Sequence, residues 1–271
     1  MKPITTLLLL LPILLSACTA GANEKERSDD WRPKDRSWEL SWSDEFDGEE
    51  IDWSVWSKTP RHRSDWNNYM SEAEELYAIR EGKLVLRGIA NSGHPEDSAR
   101  YLTGGIWGKG KQHFTMGRID VRARFDSGGG FWPAIWMLGE DAGWPVGGEI
   151  DLMEHLNRDD IVYQTVHSGY TQAGNKTNPA PSVTTPIDIS AFNIYSVEVH
   201  QNELVFLVND SVTHSYPRLD PAAEHQFPFR DRDFYVILSA QLGGSWVGAV
   251  NPDDLPVEME IDWVRYYRNK E

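Results

Sequence analysis

The chain of 271 residues holds a single cysteine, Cys18. An intramolecular disulfide and a zinc–thiolate cluster are both excluded. Cations are scarce: 26 Lys and Arg stand against 42 Asp and Glu, a formal charge of −16. No basic stripe offsets that balance, which argues against a nucleic-acid partner. A strong negative field also disfavours polyanionic substrates and favours a neutral one. Arg61-His62-Arg63 and residues 109–111 are the places where a local positive patch could form. Long amphipathic helical patterns, repeats, internal linkers and low-complexity tracts are missing. The one long apolar run, residues 7–15, is shorter than the roughly 20 residues that span a bilayer.

What the chain does have is a distinctive acidic run. In Trp144-Pro145-Val146-Gly147-Gly148-Glu149-Ile150-Asp151-Leu152-Met153-Glu154-His155, three carboxylates are interleaved with apolar residues. Charge is costly to bury, so acids alternating with core-type side chains are aimed into a cleft. Paired carboxylates in a cleft, on a chain with 12 tryptophans, point to acid/base work and to glycoside hydrolysis in particular. On a strand, Glu149 and Asp151 share a face. Glu154 has the opposite parity, and a β-bulge at Leu152-Met153 would return it to that face. Four pleat steps separate Cα atoms by roughly 13 Å. A retaining glycosidase needs carboxyl groups about 5–5.5 Å apart, so the strand must bend concavely and the long Glu side chains must converge. Two other readings exist. Ile150, Met153 and Leu156 fit one helix face, and Glu149, Asp151, Glu154, His155 and His167 could form a metal site. Gly147-Gly148 before the run and the β-rich residues 161–166 after it favour the strand. His167 follows on the next predicted strand, where it could orient an acid or bind sugar. Asn68 and Gln164 are further candidates for sugar hydroxyls.

Period-two alternation is clear in residues 118–125, with Ile119, Val121, Ala123 and Phe125 on one face and Arg118, Asp120, Arg122 and Arg124 on the other. Residues 194–199 and 204–208 read as a hairpin about the polar His200-Gln201-Asn202-Glu203. Residues 234–240 and 259–267 are further strands. Many short strands separated by turns imply an all-β sandwich, and residues 37–271 suit a single domain.

The run Gly148-Glu149-Ile150-Asp151-Leu152-Met153-Glu154 resembles the ExDxxE signature of glycoside hydrolase family 16, in its bulged, laminarinase-like form. Gly104-Gly105-Ile106, residues 117–124, Phe131-Trp132-Pro133-Ala134-Ile135-Trp136-Met137-Leu138, Thr165-Val166-His167 and Ile261-Asp262-Trp263-Val264-Arg265-Tyr266-Tyr267 resemble other family blocks, in family order. The resemblance implies a two-sheet β-jelly roll with a concave substrate cleft. It implies Glu149 as nucleophile, Glu154 as general acid/base, and Asp151 sharing a proton with Glu149. Trp144 matches the tryptophan that lines the subsite of the cleaved sugar, and Trp132, Trp136 and Trp246 are further cleft candidates. Trp66 and Trp107 are possible outer walls, with Trp42 and Trp263 in the core. No cofactor is expected for catalysis. A structural Ca²⁺ would take oxygens from Glu45, the Gly82 carbonyl and Asp262.

The implied activity is endo-hydrolysis of β-1,3- or mixed β-1,3/1,4-glucan by a monomer. Residues 154–160 and 164–168 also resemble members that cut β-1,4-galactoside bonds in host O-glycans and poly-N-acetyllactosamine. A non-catalytic glycan-binding lipoprotein is the alternative of another class. At the start of the chain, Lys2, residues 7–15 and Leu15-Ser16-Ala17-Cys18 resemble a bacterial lipoprotein signal. The expectation is a signal peptide over residues 1–17, a lipidated Cys18 and a flexible tether to residue 36. Thr19 suggests sorting to the outer membrane.

Overall fold

The computed structural model describes residues 31–270, except 36, 175, 176 and 231. The expected signal peptide, Cys18 and most of the expected tether lie outside the described residues. The fold is that of the unit Asp35–Glu271. Its strands, β1 to β16 in chain order, form two antiparallel sheets. In the nine-stranded sheet the order is β14 (Ser211–Pro217), β13 (Glu203–Val208), β12 (Asn193–Val199), β7 (Gly117–Phe125), β16 (Val257–Asn269), β4 (Leu84–Ala90) and β3 (Tyr77–Ile79). Here β1 (Trp38–Asp44) pairs with β16, and β5 (Tyr101–Thr103) with β4. The seven-stranded sheet runs β11 (Ser182–Pro186), β10 (Ile161–His167), β9 (Glu149–Glu154), β8 (Phe131–Gly139), β15 (Phe234–Leu242), β6 (Gly105–Trp107) and β2 (Ser57–Lys58). This is the all-β, two-sheet sandwich that the alternation implies.

The core lies between the sheets. Ile119, Val121, Ala123 and Phe125 of β7 all point into it, as their spacing predicts. They meet Ile135 and Met137 of β8, Ile150 of β9 and Leu238 of β15. Each fully buried aliphatic or aromatic side chain contributes about 1.5–3 kcal/mol. The hairpin between β12 and β13 closes where the polar turn was expected, with His200 N donating to Glu203 O at 2.9 Å. The opposite face of β7 carries the charged residues, as their alternation predicts, and part of it is covered. Arg118 and Asp120 are buried rather than solvated, and pair at 2.7 Å. Asp210 and Glu198 also contact the guanidinium, at 2.8 and 3.1 Å. Burial pushes Asp120 up to about 6 even against the arginine. Trp42 packs at the edge of the core against Trp56 and Phe114. Trp263 is buried but lies outside the inter-sheet core, with the Arg265 guanidinium 4.1 Å over its ring.

Around β8 and β15 the seven-stranded sheet has apolar residues on both faces. Away from the core, Ala134 and Trp136 of β8 cluster with Tyr235 and Ile237 of β15, and Trp66, Trp107 and Leu138 pack against them. That second face is the floor on which the site is built. Phe206 of β13, fully buried between the sheets, tests the core. Phe206→Ala is expected to lower unfolding free energy by about 3–5 kcal/mol, read from the urea midpoint at unchanged slope.

Candidate active site

Strand register decides where the acids point. Glu149 lies opposite Leu138, Asp151 opposite Trp136 and Glu154 opposite Ala134. Leu138, Trp136 and Ala134 have the same parity on β8, so the three acids share one face. The register slips between Ile135 and Trp136, passing over Leu152. On the other side β10 sets Tyr163 against Glu154 and Thr165 against Asp151, so Gln164 alone faces Leu152 and Met153. Two residues against one is a bulge, and it absorbs the odd residue in the Glu-x-Asp-x-x-Glu spacing.

Gln164 explains how the bulge is held. Its side chain is fully buried and donates from Nε2 to the Leu152 carbonyl at 3.0 Å. Its Oε1 accepts from Thr213 Oγ1 at 2.6 Å. The expectation that Gln164 binds sugar is therefore corrected. Even parity turns it into the sandwich, while Tyr163, Thr165 and His167 face the other way. Asn68 does not line the cavity of the acids; it lines a separate one with Tyr69, Arg100, Tyr101 and the Gly243-Gly244 pair that precedes Trp246.

Glu149, Asp151 and Glu154 line a cavity of about 420 Å³ with Trp66, Trp132, Trp136 and Trp144. Trp132 Nε1 donates to Glu154 Oε1 at 3.0 Å. Trp144 is 58% exposed beside Glu149, which it helps to hold down against the effect of burial. Trp136 is anchored in the floor by its Nε1 bond to Ser239 Oγ, 3.2 Å. Trp246 stands 47% exposed, edge-on to Trp132 and Tyr163 at 5.4 and 5.1 Å between centroids. Trp66 meets Trp136 edge-on at 4.7 Å. Trp107 sits farther along the floor, against Tyr235. Gln241 also lines the cavity, donating to Ser239 at 3.0 Å while its buried Oε1 has no partner. The sequence held a signal for it: Ser239 and Gln241 are polar residues two apart in an otherwise apolar stretch.

His167 Nδ1 accepts from Gln172 Nε2 at 2.8 Å, which leaves the proton on Nε2. That nitrogen lies 3.3 Å from Asp151 Oδ2, an oxygen that makes no hydrogen bond. Ligand atoms of Glu149, Asp151 and His167 lie within 4.8 Å of one another. His155 takes no part. It is buried against Phe125, and its Nε2 lies 2.7 Å from the Asp159 carbonyl.

Among the described residues no Lys or Arg pairs with the three acids. Burial is the main force on each, and mutual repulsion adds to it. Glu149 is pushed up to about 8 by burial and by the Asp151 charge. Asp151 is pushed up to about 7 by burial, against a hydrogen bond from Glu149. Glu154 is raised well above its ordinary range by burial, Asp151 and Glu149, against the Trp132 bond. The cluster therefore holds protons at neutral pH, with one shared between Glu149 and Asp151.

The expected calcium ligands do not fit. Glu45 accepts from Arg265 through both carboxylate oxygens, at 2.9 and 2.7 Å. Asp262 accepts from Arg122 at 2.5 Å. Each carboxylate is already neutralised by a guanidinium, so the set offers no converging negative charge for a hard cation.

A sandwich with clustered, protonatable carboxylates on an aromatic floor defines a carbohydrate-processing site. Residues 89–265 match the model of glycosyl hydrolases family 16, and the chain belongs to that family. It is 37% identical to a keratan-sulfate endo-1,4-beta-galactosidase of Sphingobacterium multivorum over 85% of its length, and spans only 55% of that relative. It is 35% identical to a beta-glucanase of Rhodothermus marinus, covering 96% of this chain and 93% of the relative. Among solved structures, an endo-acting O-glycanase of the human gut microbiota superposes with a TM-score of 0.75. It shares 31% identity, with 86% of this chain and all of that one covered.

Two outcomes are expected. The raised acids bind protons in the folded state that the unfolded chain releases, so stability falls as pH rises from about 4 to about 8. Asp151→Asn removes a buried charge and should melt above the parent at pH 8, with the gap closing towards pH 4. A gap independent of pH would contradict this. Separately, a calcium chelator should leave the melting temperature unchanged.

Proposed function

We propose that the chain is an endo-acting, retaining β-glycoside hydrolase. The observation that carries this is the common face of Glu149, Asp151 and Glu154, lined by indoles. Glu149 attacks the anomeric carbon and forms a glycosyl-enzyme ester. As it does so, the proton held between the two carboxyls stays on Asp151, leaving Glu149 ionised. Glu154 enters protonated, gives its proton to the leaving glycosidic oxygen, then takes one from the incoming water. Trp132 holds Glu154 by its indole N–H, fixing the direction of transfer. His167 positions Asp151. Trp144 and Trp246 supply flat apolar surfaces for pyranose rings at the two ends of the acid row.

The substrate is a β-1,3- or mixed β-1,3/1,4-glucan, supported by the near full-length likeness to a beta-glucanase. The second reading, endo-β-1,4-galactosidase action on O-glycan or poly-N-acetyllactosamine chains, is supported by the likeness to the keratan-sulfate enzyme and the O-glycanase. The lipobox-like Cys18 supports anchoring to the outer membrane by lipid. The bulged, laminarinase-like motif is part of the same reading.

The test is digestion of laminarin and of a mucin O-glycan preparation, side by side, with the soluble form. Mixed glucose oligomers support the first reading, and galactose- and N-acetylhexosamine-containing fragments the second. NMR of the first-formed product should show the β-anomer. Glu154→Gln should lower kcat by about 10²–10⁴-fold while substrate still binds. An α-product, or a variant as fast as the parent, would overturn the mechanism.

A further inference from the structure

A second cavity, of about 220 Å³, opens beside the catalytic one. It is lined by Arg218, Arg230, Arg232, His225 and Val146, so cations converge there in a protein of charge −16. Elsewhere several of the cations flagged in the sequence are committed. Arg61 is bound to Asp97 and the Met70 carbonyl, and Lys111 to the carbonyls of Trp53 and Trp56. Lys109 lies over the Trp107 and Tyr235 rings. In contrast, no carboxylate among the described residues lies within ion-pair distance of Arg218 or Arg232. His225 does have one, Glu224 at 3.3 Å.

The cavity is built rather than incidental. Its walls come from the loop between β14 and β15, and buried groups hold that loop. Gln226 is 1% exposed, accepts from Leu219 N at 3.0 Å and donates to the Pro217 carbonyl at 3.0 Å. Phe229 is fully buried among Tyr216, Phe227 and Phe234. Arg218 is thus presented from a backbone held at Pro217 and Leu219.

Its position ties it to the cleft at two points. Val146 lies two residues after Trp144, hence within about 7 Å along the chain. His225 packs on Gly169, two residues after His167, and accepts from Tyr170 N at 3.2 Å through its carbonyl. The Trp144 and His167 rings themselves stand 6.5 Å apart over the Glu149 end of the acid row. An anionic group here would sit next to a glycan threaded past Trp144.

We propose that this cavity is a subsite for a sulfate ester carried by the glycan, held by Arg218 and Arg232. Guanidinium forks match the oxygens of a tetrahedral oxyanion and hold it by charge-assisted bonds. The two guanidinium groups meet that charge locally, so the overall negative charge does not by itself exclude a substituted substrate. This rests on the glycoside hydrolase reading and names a substituent that reading leaves open.

The experiment compares the parent with the double variant Arg218→Gln/Arg232→Gln. Substrates are keratan sulfate with its desulfated form, and laminarin sulfate with laminarin. For whichever backbone is cut, the sulfated-to-unsulfated ratio of kcat/KM should fall about tenfold or more in the variant, the scale of one lost charge-assisted contact. A salt titration should erase the difference as screening grows. A ratio identical in parent and variant overturns the proposal. In parallel, sodium sulfate is compared with sodium chloride at equal ionic strength by melting temperature. The parent should be stabilised specifically by sulfate, and the variant not; equal shifts in both also overturn the proposal. A parent that cuts neither backbone defeats the hydrolase reading instead, and the sulfate-dependent melting then decides the subsite alone.

Discussion

One hydrogen bond, from the buried amide of Gln164 to the carbonyl of Leu152, underlies the geometry of the site. Strand parity would send Glu154 to the core side of β9, away from Glu149. The bulge at Leu152 reverses that parity, but it takes a backbone carbonyl out of the ladder with β8. A buried carbonyl left unpaired costs about 1–3 kcal/mol. Gln164 removes that cost from the neighbouring strand, and Thr213 of β14 satisfies Gln164 in turn. A chain of buried polar contacts thus runs from the opposite sheet to the backbone between the two outer acids. The alignment of Glu149, Asp151 and Glu154 is a consequence of it.

With the acids on one face, their electrostatics follow. Among the described residues no guanidinium or ammonium offsets them, so burial and repulsion keep protons in the cluster. A salt bridge would have stabilised the fold and ionised every carboxyl, leaving no proton to donate. Tryptophan supplies the alternative. Trp132 gives Glu154 a neutral N–H donor, and both Trp132 and Trp144 present an apolar ring to the cavity. The same residue type therefore builds the sugar platform and sets the acids without neutralising them.

Elsewhere the cations are spent on structure. Arg118 joins Asp120, Glu198 and Asp210, Arg122 holds Asp262, and Arg265 holds Glu45, all on the nine-stranded sheet. These pairs let charged side chains of β7 and β16 lie buried on the face turned away from the core. They also occupy the carboxylates that the family resemblance suggested for calcium. Arg218 after β14 and Arg232 before β15 stand apart from this pattern, in a cavity of their own.

Much of this was legible in the residues. Alternation in β7 identified the core face, the odd spacing of Glu154 called for a bulge, and the carboxylates marked the site. These are local properties: period two, parity and the cost of buried charge act within a few residues along one strand. Other features could not be read so. Gln164 and His167 sit three apart on β10, and nothing local says which face is cleft and which is core when both are covered. Gln241 is a case of the same kind. Gln241 reaches the cavity because β15 lies beside β8, a pairing across about a hundred residues. The burial of Arg118, the engagement of Glu45 and Asp262, and the meeting of residues 218–232 with Val146 depend on strand order and packing. The sequence by itself determined a two-sheet sandwich with a bulged acidic strand. Only the tertiary structure decided which polar side chains face the glycan, because each face acquires its neighbours from strands distant in the chain.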